Sequence, residues 1–526
     1  MSIELEKTKN FATKVEVSHV VDLEDNTVSS IHSGEVVDML ELEGDDKAMA
    51  RKIYLVNNAL DEIGFTWFHV KCFVVAGYGY VADSLLGMAQ STVATYVNLQ
   101  FNQTYPLSTQ VLYIGLFSGC VFWGLSGDII GRKLAFNLTL FLCAILSFLV
   151  GAMSSFPMYC FMLAISSFAL GGNLAIDATV FLEFLPFNYQ WLTTFFACWW
   201  SLGQAVGYGV AYAFVVPEKW HCTSADNCPS ESNRGWRYVW YVDAGIVFFF
   251  AVIRLMLKLE ETPKFLVTNN RDAECVEQLQ AIAKKYNRTC SLTLEDLQAC
   301  GEVKKNDFKM SDPKLKDFFS SSIKNSKALF STKKMSINTL MLFMSWFGIG
   351  IAYPLWGTFL PVYIASKGGH TSADDAAGVY GDALLSTCLS FFGPVIGGLL
   401  ILIPRVGRRG TLCIGGITSM IFFMAYTTVR TRPGALGFST AAYICIYIYY
   451  GCLYGYTPEC LPSYCRATGS GLAFVFNRIA GLIVPVIAYY AKPTTSVPIW
   501  VCASFIGLIG IGSLFFPFEP SRQRSV

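Results

Sequence analysis

Long apolar runs alternate with short polar turns along this chain. The runs fall near residues 70–97, 106–125, 134–153, 159–181, 193–216, 238–257, 337–365, 379–403, 411–429, 436–456, 469–490 and 499–517. A helix needs about 20 apolar residues to cross a bilayer, and the runs are close to that length. Backbone in hydrocarbon must satisfy its own hydrogen bonds, so each run predicts a helix. The expected fold is an all-α membrane protein with twelve transmembrane helices. Residues 258–336 are polar and lysine-rich and form the one long interior break, which splits the spans six and six. This gives a first half over 67–257, a cytosolic loop over 258–336, a second half over 337–517 and a short tail over 518–526. Residues 1–66 are rich in Asp, Glu, Ser and Thr, which predicts a mostly disordered cytosolic tail without a cleavable signal. A short amphipathic helix near 48–63 is expected to lead into the membrane.

The loops orient the spans. Arg132 and Lys133, the 258–336 segment, Arg405, Arg408 and Arg409, Arg466, and Arg522 with Arg524 all fall on one side. Basic loops stay in the cytosol, which places both termini there. The acceptor motif Asn102-Gln103-Thr104 then falls outside, where a glycan can be added. Matches at Asn137 and Asn287 fall in a span and on the cytosolic side. Cys222 and Cys228 flank an outside loop, an oxidising setting in which a local disulfide is expected.

Composition agrees with this plan. The chain is 53% hydrophobic and 15% charged, against about 25% charged for soluble domains. Its net charge of +1 carries no signal for nucleic acid. The 17 cysteines lie mostly within apolar runs and show no repeated C-x-x-C pairs, so they read as small hydrophobes rather than metal ligands. No G-x-x-x-x-G-K-[ST] segment is present, which disfavours ATP-driven pumping. No cofactor, metal or enzymatic activity is expected.

The turn Gly124-Leu-Ser-Gly127-Asp128-Ile-Ile-Gly131-Arg132-Lys133 joins the second and third runs. Gly127 and Gly131 permit close backbone approach, Asp128 faces a helix end, and the basic pair marks the cytosol. This pattern resembles the signature between helices 2 and 3 of the major facilitator superfamily. The resemblance implies two pseudo-symmetric six-helix halves around a central site, the parallel-repeat plan of that superfamily.

Charges inside the runs are the candidate chemistry. A carboxylate at bilayer depth costs roughly 2.5–3.5 kcal/mol on insertion scales unless paired or wetted. Asp83 in the first span is therefore read as a proton carrier; the alternatives are a substrate-donor site or a cap at the Gly77/Gly79 kink. Asp177 in the fourth span follows the same logic. Glu183 with Arg132, and Glu459 with Arg405 and Arg408, sit at cytoplasmic helix ends as two sets that can latch an inner gate; Arg466 lies beside them. The alternative is static surface pairing. Asn477 and Arg478 enter the eleventh span. There Arg478 can bind an anionic substrate, hold Glu459, or snorkel to the interface. Asn173 and Gln204 are polar among glycines, and Tyr353 sits beside Pro354 near the midplane. These are candidates to line the site.

Further stretches narrow the resemblance. Gly171-Gly-Asn-Leu-Ala-Ile-Asp177 through Glu183 and Pro186, and Tyr456-Thr-Pro-Glu459 through Arg466 and Gly471, are similar to the fourth and tenth spans of SVOP-like transporters, relatives of the synaptic vesicle glycoproteins. Gly77-Tyr-Gly-Tyr-Val-Ala-Asp83 and Glu261-Thr-Pro-Lys264-Phe-Leu266 resemble their first span and the turn after span six; the chain looks like a fungal branch of the group. Sugar porters stand nearby, but the fourth span has no Arg before its glycines and the seventh lacks their glutamines and asparagine, which disfavours hexose. The resemblance implies a secondary transporter, expected as a monomer in the lipid bilayer, moving a small polar or anionic organic solute with protons. Nicotinate-like acids, zwitterions and phosphate all fit Arg478 and Asn477. The alternatives are a non-transporting sensor or scaffold and a drug-type exporter. The plasma membrane is expected, with vacuolar and endoplasmic reticulum membranes as alternatives.

Overall fold

The computed structural model describes residues 47–222, 228–257, 260–303, 315–366, 376–490 and 495–520. Among these, eleven helices are long and apolar enough to cross a membrane. The first half has α2 (Trp67–Gln100), α3 (Leu107–Ile130) and α4 (Arg132–Ala152). Its fourth span is split into α5 (Phe156–Leu170) and α6 (Asn173–Phe184), followed by α7 (Phe196–Val215) and α8 (Gly235–Met256). α7, the fifth span, brings the count to twelve: it has 20 residues, but Trp199, Trp200, Ser201, Gly203 and Gln204 dilute its apolar character. After the central segment come α13 (Lys333–Ser366), α14 (Ala376–Ser390) with α15 (Phe392–Ile401), and α16 (Gly407–Tyr426). The last three spans are α17 (Arg432–Glu459), α18 (Arg466–Tyr490) and α19 (Val497–Gly512).

The fourth span breaks at Gly171 and Gly172, and side chains of α3 take up the freed carbonyls. The Cys120 thiol donates to the Gly171 oxygen at 3.0 Å, and the Trp123 indole donates to the Phe168 oxygen at 3.1 Å. A helix interrupted in hydrocarbon needs such partners. The two halves meet along two seams, α3 on α18 and α7 on α14. On the first seam Gly124 lies against Gly471 backbone to backbone: a Cβ built on Gly124 would sit 2.8 Å from the Gly471 Cα. Small residues at a crossing let helices approach and pack by dispersion alone.

The end of the amino-terminal segment is not loose. α1 (Lys47–Ile63) packs on the central-segment helices α9 (Pro263–Thr268) and α10 (Asp272–Lys285), and α11 (Leu294–Ala299) joins the same cluster. Ile53, Val56, Leu60 and Ile63 close a core with Val267, Cys275, Leu279 and Leu297. The buried Lys52 ammonium binds Asp272 at 2.6 Å, and Asp61 accepts the Phe187 backbone N–H at 2.7 Å, just ahead of α7. This is the stretch expected as a short amphipathic helix ahead of the first span; its apolar stripe has a partner in the central segment, which a local reading of either segment misses. Residues 1–46 lie outside the described set. The central segment ends with α12 (Leu315–Ala328).

The glycine seam is testable. Gly471→Ala forces a methyl group into backbone and is expected to cost about 1–3 kcal/mol, the usual overpacking penalty. Gly87→Ala, with nothing within 4 Å of its built Cβ, is expected to stabilise α2 by roughly 0.5–1 kcal/mol. Thermal unfolding of the purified protein in detergent reads both.

Candidate functional site

Midway through the membrane the halves are joined by polar side chains. Asp83 on α2 and Arg478 on α18 are both buried, and an Arg478 Nη2 lies 3.2 and 3.4 Å from the two Asp83 oxygens. Arg478 therefore pairs with Asp83; it neither snorkels nor holds Glu459. On the other side of the layer, Gln204 of α7 faces Tyr353 of α13 and Tyr447 of α17. The Gln204 amide donates to the Tyr353 hydroxyl at 2.7 Å, and the Tyr447 hydroxyl donates to Gln204 Oε1 at 2.5 Å. Tyr450 packs edge-on to Tyr353 at 5.4 Å, and Tyr454 continues the aromatic wall to Trp346. Asn477 donates to the Trp346 carbonyl at 3.2 Å. Asn173 is buried in the same half as Asp83, and neither of its side-chain polar atoms has a hydrogen-bond partner among the described residues.

The layer combines one cation, one carboxylate, the amides of Gln204 and Asn477 and several phenols. Such groups can hold a small solute with an anionic end and a flat or hydrogen-bonding body. Arg478 supplies the charge and directional N–H donors for a carboxylate or phosphate.

Below it, toward the turn of the Gly124–Lys133 motif, ion pairs close the protein. Arg132 donates to Glu183 Oε2 at 2.5 Å, to Asp128 at 3.2 Å and to the Ser463 carbonyl of the second half at 2.7 Å. The other Glu183 oxygen takes Arg466 at 3.1 Å. Asp128 accepts the backbone N–H groups of Ala467 and Thr468 at 3.2 and 2.8 Å. It thus caps α18, where a helix favours negative charge. Gly131 has φ of +110°, a conformation that spares glycine alone. A Cβ there would meet Glu261 at 2.8 Å.

The second half repeats the design. Gly407 has φ of +58°, Arg408 donates to Glu459 at 2.6 Å, and Glu519 accepts the Arg408 backbone N–H at 2.9 Å. In the first half Glu261 accepts the Arg132 N–H at 3.1 Å. Glu459 reaches across to Thr193, whose hydroxyl donates at 2.9 Å. Burial holds the Glu261 carboxyl above its ordinary value, while Arg132 and the backbone N–H groups around it pull the other way.

Not every expected residue joins these clusters. Arg405 is exposed and makes none of the gate contacts among the described residues; the short turn before α16 carries it past the seam. Lys133 meets Glu260 at 2.9 Å on the exposed surface. Asp177 is paired with Arg254 of α8, at 2.9 and 3.3 Å. Asn102 is exposed beyond the end of α2, and Cys222 and Cys228 are bonded to each other. Arg254, Thr193, Glu261, Glu519 and Tyr447 were not anticipated. Arg254 carried a usable signal, an arginine inside an apolar run like Arg478. Glu261 and Glu519 carried another, each following the last span of its half.

Two six-helix halves, a polar layer between them and a charged closure at the Gly124–Lys133 turn are the plan of a membrane transporter of the secondary type. The family model for sugar (and other) transporters matches residues 63–521, and the chain belongs to that family within the major facilitator superfamily. An MFS-type transporter of Schizosaccharomyces pombe is 32% identical, with 99% of this chain and 97% of the relative aligned. MFS siderochrome iron transporter 1 of Ceriporiopsis subvermispora is 33% identical, over 93% and 94%. The synaptic vesicle 2-related protein of Rattus norvegicus is 24% identical, over 94% and 89%. These relatives are transporters, not enzymes. Among solved structures, the proton:xylose symporter XylE bound to 6-bromo-6-deoxy-D-glucose superposes with a TM-score of 0.62 at 15% identity, covering 87% of this chain and 97% of that one. That likeness bears on the fold alone.

Glu183 holds two buried guanidinium groups, so Glu183→Gln is expected to destabilise this closure by about 3–5 kcal/mol, the cost of breaking a buried pair. Cys465, fully buried at the closure, then becomes reactive to a maleimide. Thermal unfolding and labelling rate measure the two effects.

Proposed function

We propose that this transporter moves a small polar or anionic organic solute together with protons, and that the pairing of Asp83 with Arg478 is the coupling element. The observation that carries the reading is this one ion pair, buried at mid-membrane and spanning the two halves. Separating the halves there leaves two buried ions, and an unpaired buried ion costs several kcal/mol. The cost disappears when both charges are answered together. A solute anion takes Arg478, and Asp83, released, takes a proton. Solute alone leaves a bare carboxylate; a proton alone leaves a bare guanidinium. Either half-loaded form meets a penalty comparable to the roughly 5.5 kcal/mol that separates a 1:99 from a 99:1 population. Coupling follows from that arithmetic.

The pairs Arg132–Glu183–Arg466 and Arg408–Glu459–Thr193 hold the cytosolic side shut in this conformation. They part in the other state, and the tyrosines around Gln204 re-form their hydrogen bonds around the bound solute. Basic loops put both termini in the cytosol, leave Asn102 outside to carry a glycan, and suit residence in the plasma membrane.

Proteoliposomes loaded against a panel of labelled carboxylates test the reading. Uptake of the recognised anion is expected to rise with an inward proton gradient. Asp83→Asn is expected to abolish that response, and Arg478→Lys to raise the KM because a point charge replaces a two-pronged donor. Flux indifferent to the gradient and unchanged in Asp83→Asn would overturn it.

A further inference from the structure

The first half contains a second buried acid that solute binding does not use. Asp177 lies on α6 with its side chain fully buried against Arg254. Arg254 is itself anchored by the Phe136 carbonyl at 2.8 Å and the Val75 carbonyl at 2.9 Å. Asp177 is wedged against α2 at Gly79, where a Cβ would lie 1.7 Å from the carboxylate. Gly79 is one helical turn from Asp83 on the same helix. Two acids therefore stand one turn apart along α2, the first at the solute layer and the second deeper toward the cytosol.

Polar side chains beside these two acids lack protein partners among the described residues. Tyr80 is fully buried, its hydroxyl has no hydrogen-bond partner among the described residues, and it feels the charge of both Asp83 and Asp177. Asn173, one turn before Asp177 on α6, is fully buried with both its amide oxygen and nitrogen unpartnered. Buried polar atoms are rarely left unbonded, and a site with two to four such partners is where an internal water sits. At the far end, a groove of about 760 Å³ opens on the cytosolic side, lined by Lys71, Cys72, Val75, Met256 and Leu257 among others. Val75 lines this groove, and its carbonyl is bonded to Arg254, the partner of Asp177.

We propose that Tyr80 and Asn173 hold water that carries protons between Asp83 and Asp177, and that Asp177 releases them to the Lys71–Val75 groove. The proton then has a cytosolic exit inside the first half, apart from the opening between halves that the solute uses. The step balances without any other reactant. The Asp83 carboxyl gives its proton to the water chain, and an equal proton leaves the chain's other end for the Asp177 carboxylate. Asp177 passes it to groove water while Arg254 keeps its charge throughout. The groups around Asp177 are Arg254 on α8, with Tyr78 beside it, and Asp83 and Tyr80 on α2. From α4 comes the Phe136 carbonyl, and Glu183 farther along α6 is held by Arg132 and Arg466.

This inference rests on Asp83 being the proton carrier, and the test separates the two claims. In proteoliposomes of one orientation, infrared spectroscopy follows the carboxylic-acid C=O band after acidifying one side. The band lost in Asp83→Asn belongs to Asp83. With cytosolic acidification, Tyr80→Phe, which keeps the ring and removes the hydroxyl, is expected to slow its appearance by an order of magnitude or more, as is Asn173→Leu. The response to external acidification is expected to stay at the wild-type rate, and the melting temperature of Tyr80→Phe to stay unchanged. Equal cytosolic rates in wild type, Tyr80→Phe and Asn173→Leu would overturn the path and leave Asp83 as carrier. Absence of any titrating band that Asp83→Asn removes would overturn both.

Discussion

An ion taken out of water costs several kcal/mol even after the protein relaxes around it, and this chain keeps several of them where water is scarce. Arg132, Arg466, Glu183, Asp177 and Arg254 are all essentially inaccessible. Each is answered by an opposite charge, and the partners often come from a different span. The constraint does two jobs. It ties helices together that have no hydrophobic reason to associate in lipid, and it makes the arrangement two-state, because a charge that leaves one partner must find another.

The two halves solve the problem alike. In each, a glycine in the left-handed region delivers an arginine to a glutamate at the end of the fourth helix of that half. A second glutamate, from beyond the sixth helix, binds the backbone at the arginine. The halves then cross-link unequally. Glu183 takes a full cation from the second half, whereas Glu459 takes only a hydroxyl from the first, at 2.9 Å. The first-half cluster therefore carries most of the electrostatic cohesion between halves at this closure, and the second-half cluster is the softer one.

Much of this was legible in the sequence, for stated reasons. Apolar periodicity read the spans because the bilayer fixes their length, and the turn motif read the family because its glycines, acid and basic pair each meet a steric or electrostatic demand. Asp83 and Arg478 stood out because charges in hydrocarbon are costly. Their pairing did not, since residues 395 positions apart meet only once the halves dock. Arg405 looked equivalent to Arg408, and only the left-handed turn at Gly407 decides which of them enters the seam. α7 reads weakly as a span since its tryptophans, serine and glutamine serve the polar layer. α1 was read as a lead-in to the membrane because its partner surface on α9–α11 lies more than two hundred residues downstream.

Asp128 reads the second half chiefly through its backbone. The carboxylate accepts the amide hydrogens of Ala467 and Thr468, which every residue except proline supplies, and the Thr468 side chain adds a bond of its own. A survey of point variants would therefore assign the sensitivity of this junction to the first half and to Thr468. Position 467 has latitude within the limits of size, since its methyl lies 3.2 Å from a Cβ built on Gly127. The carboxylate that reads the backbone there has none.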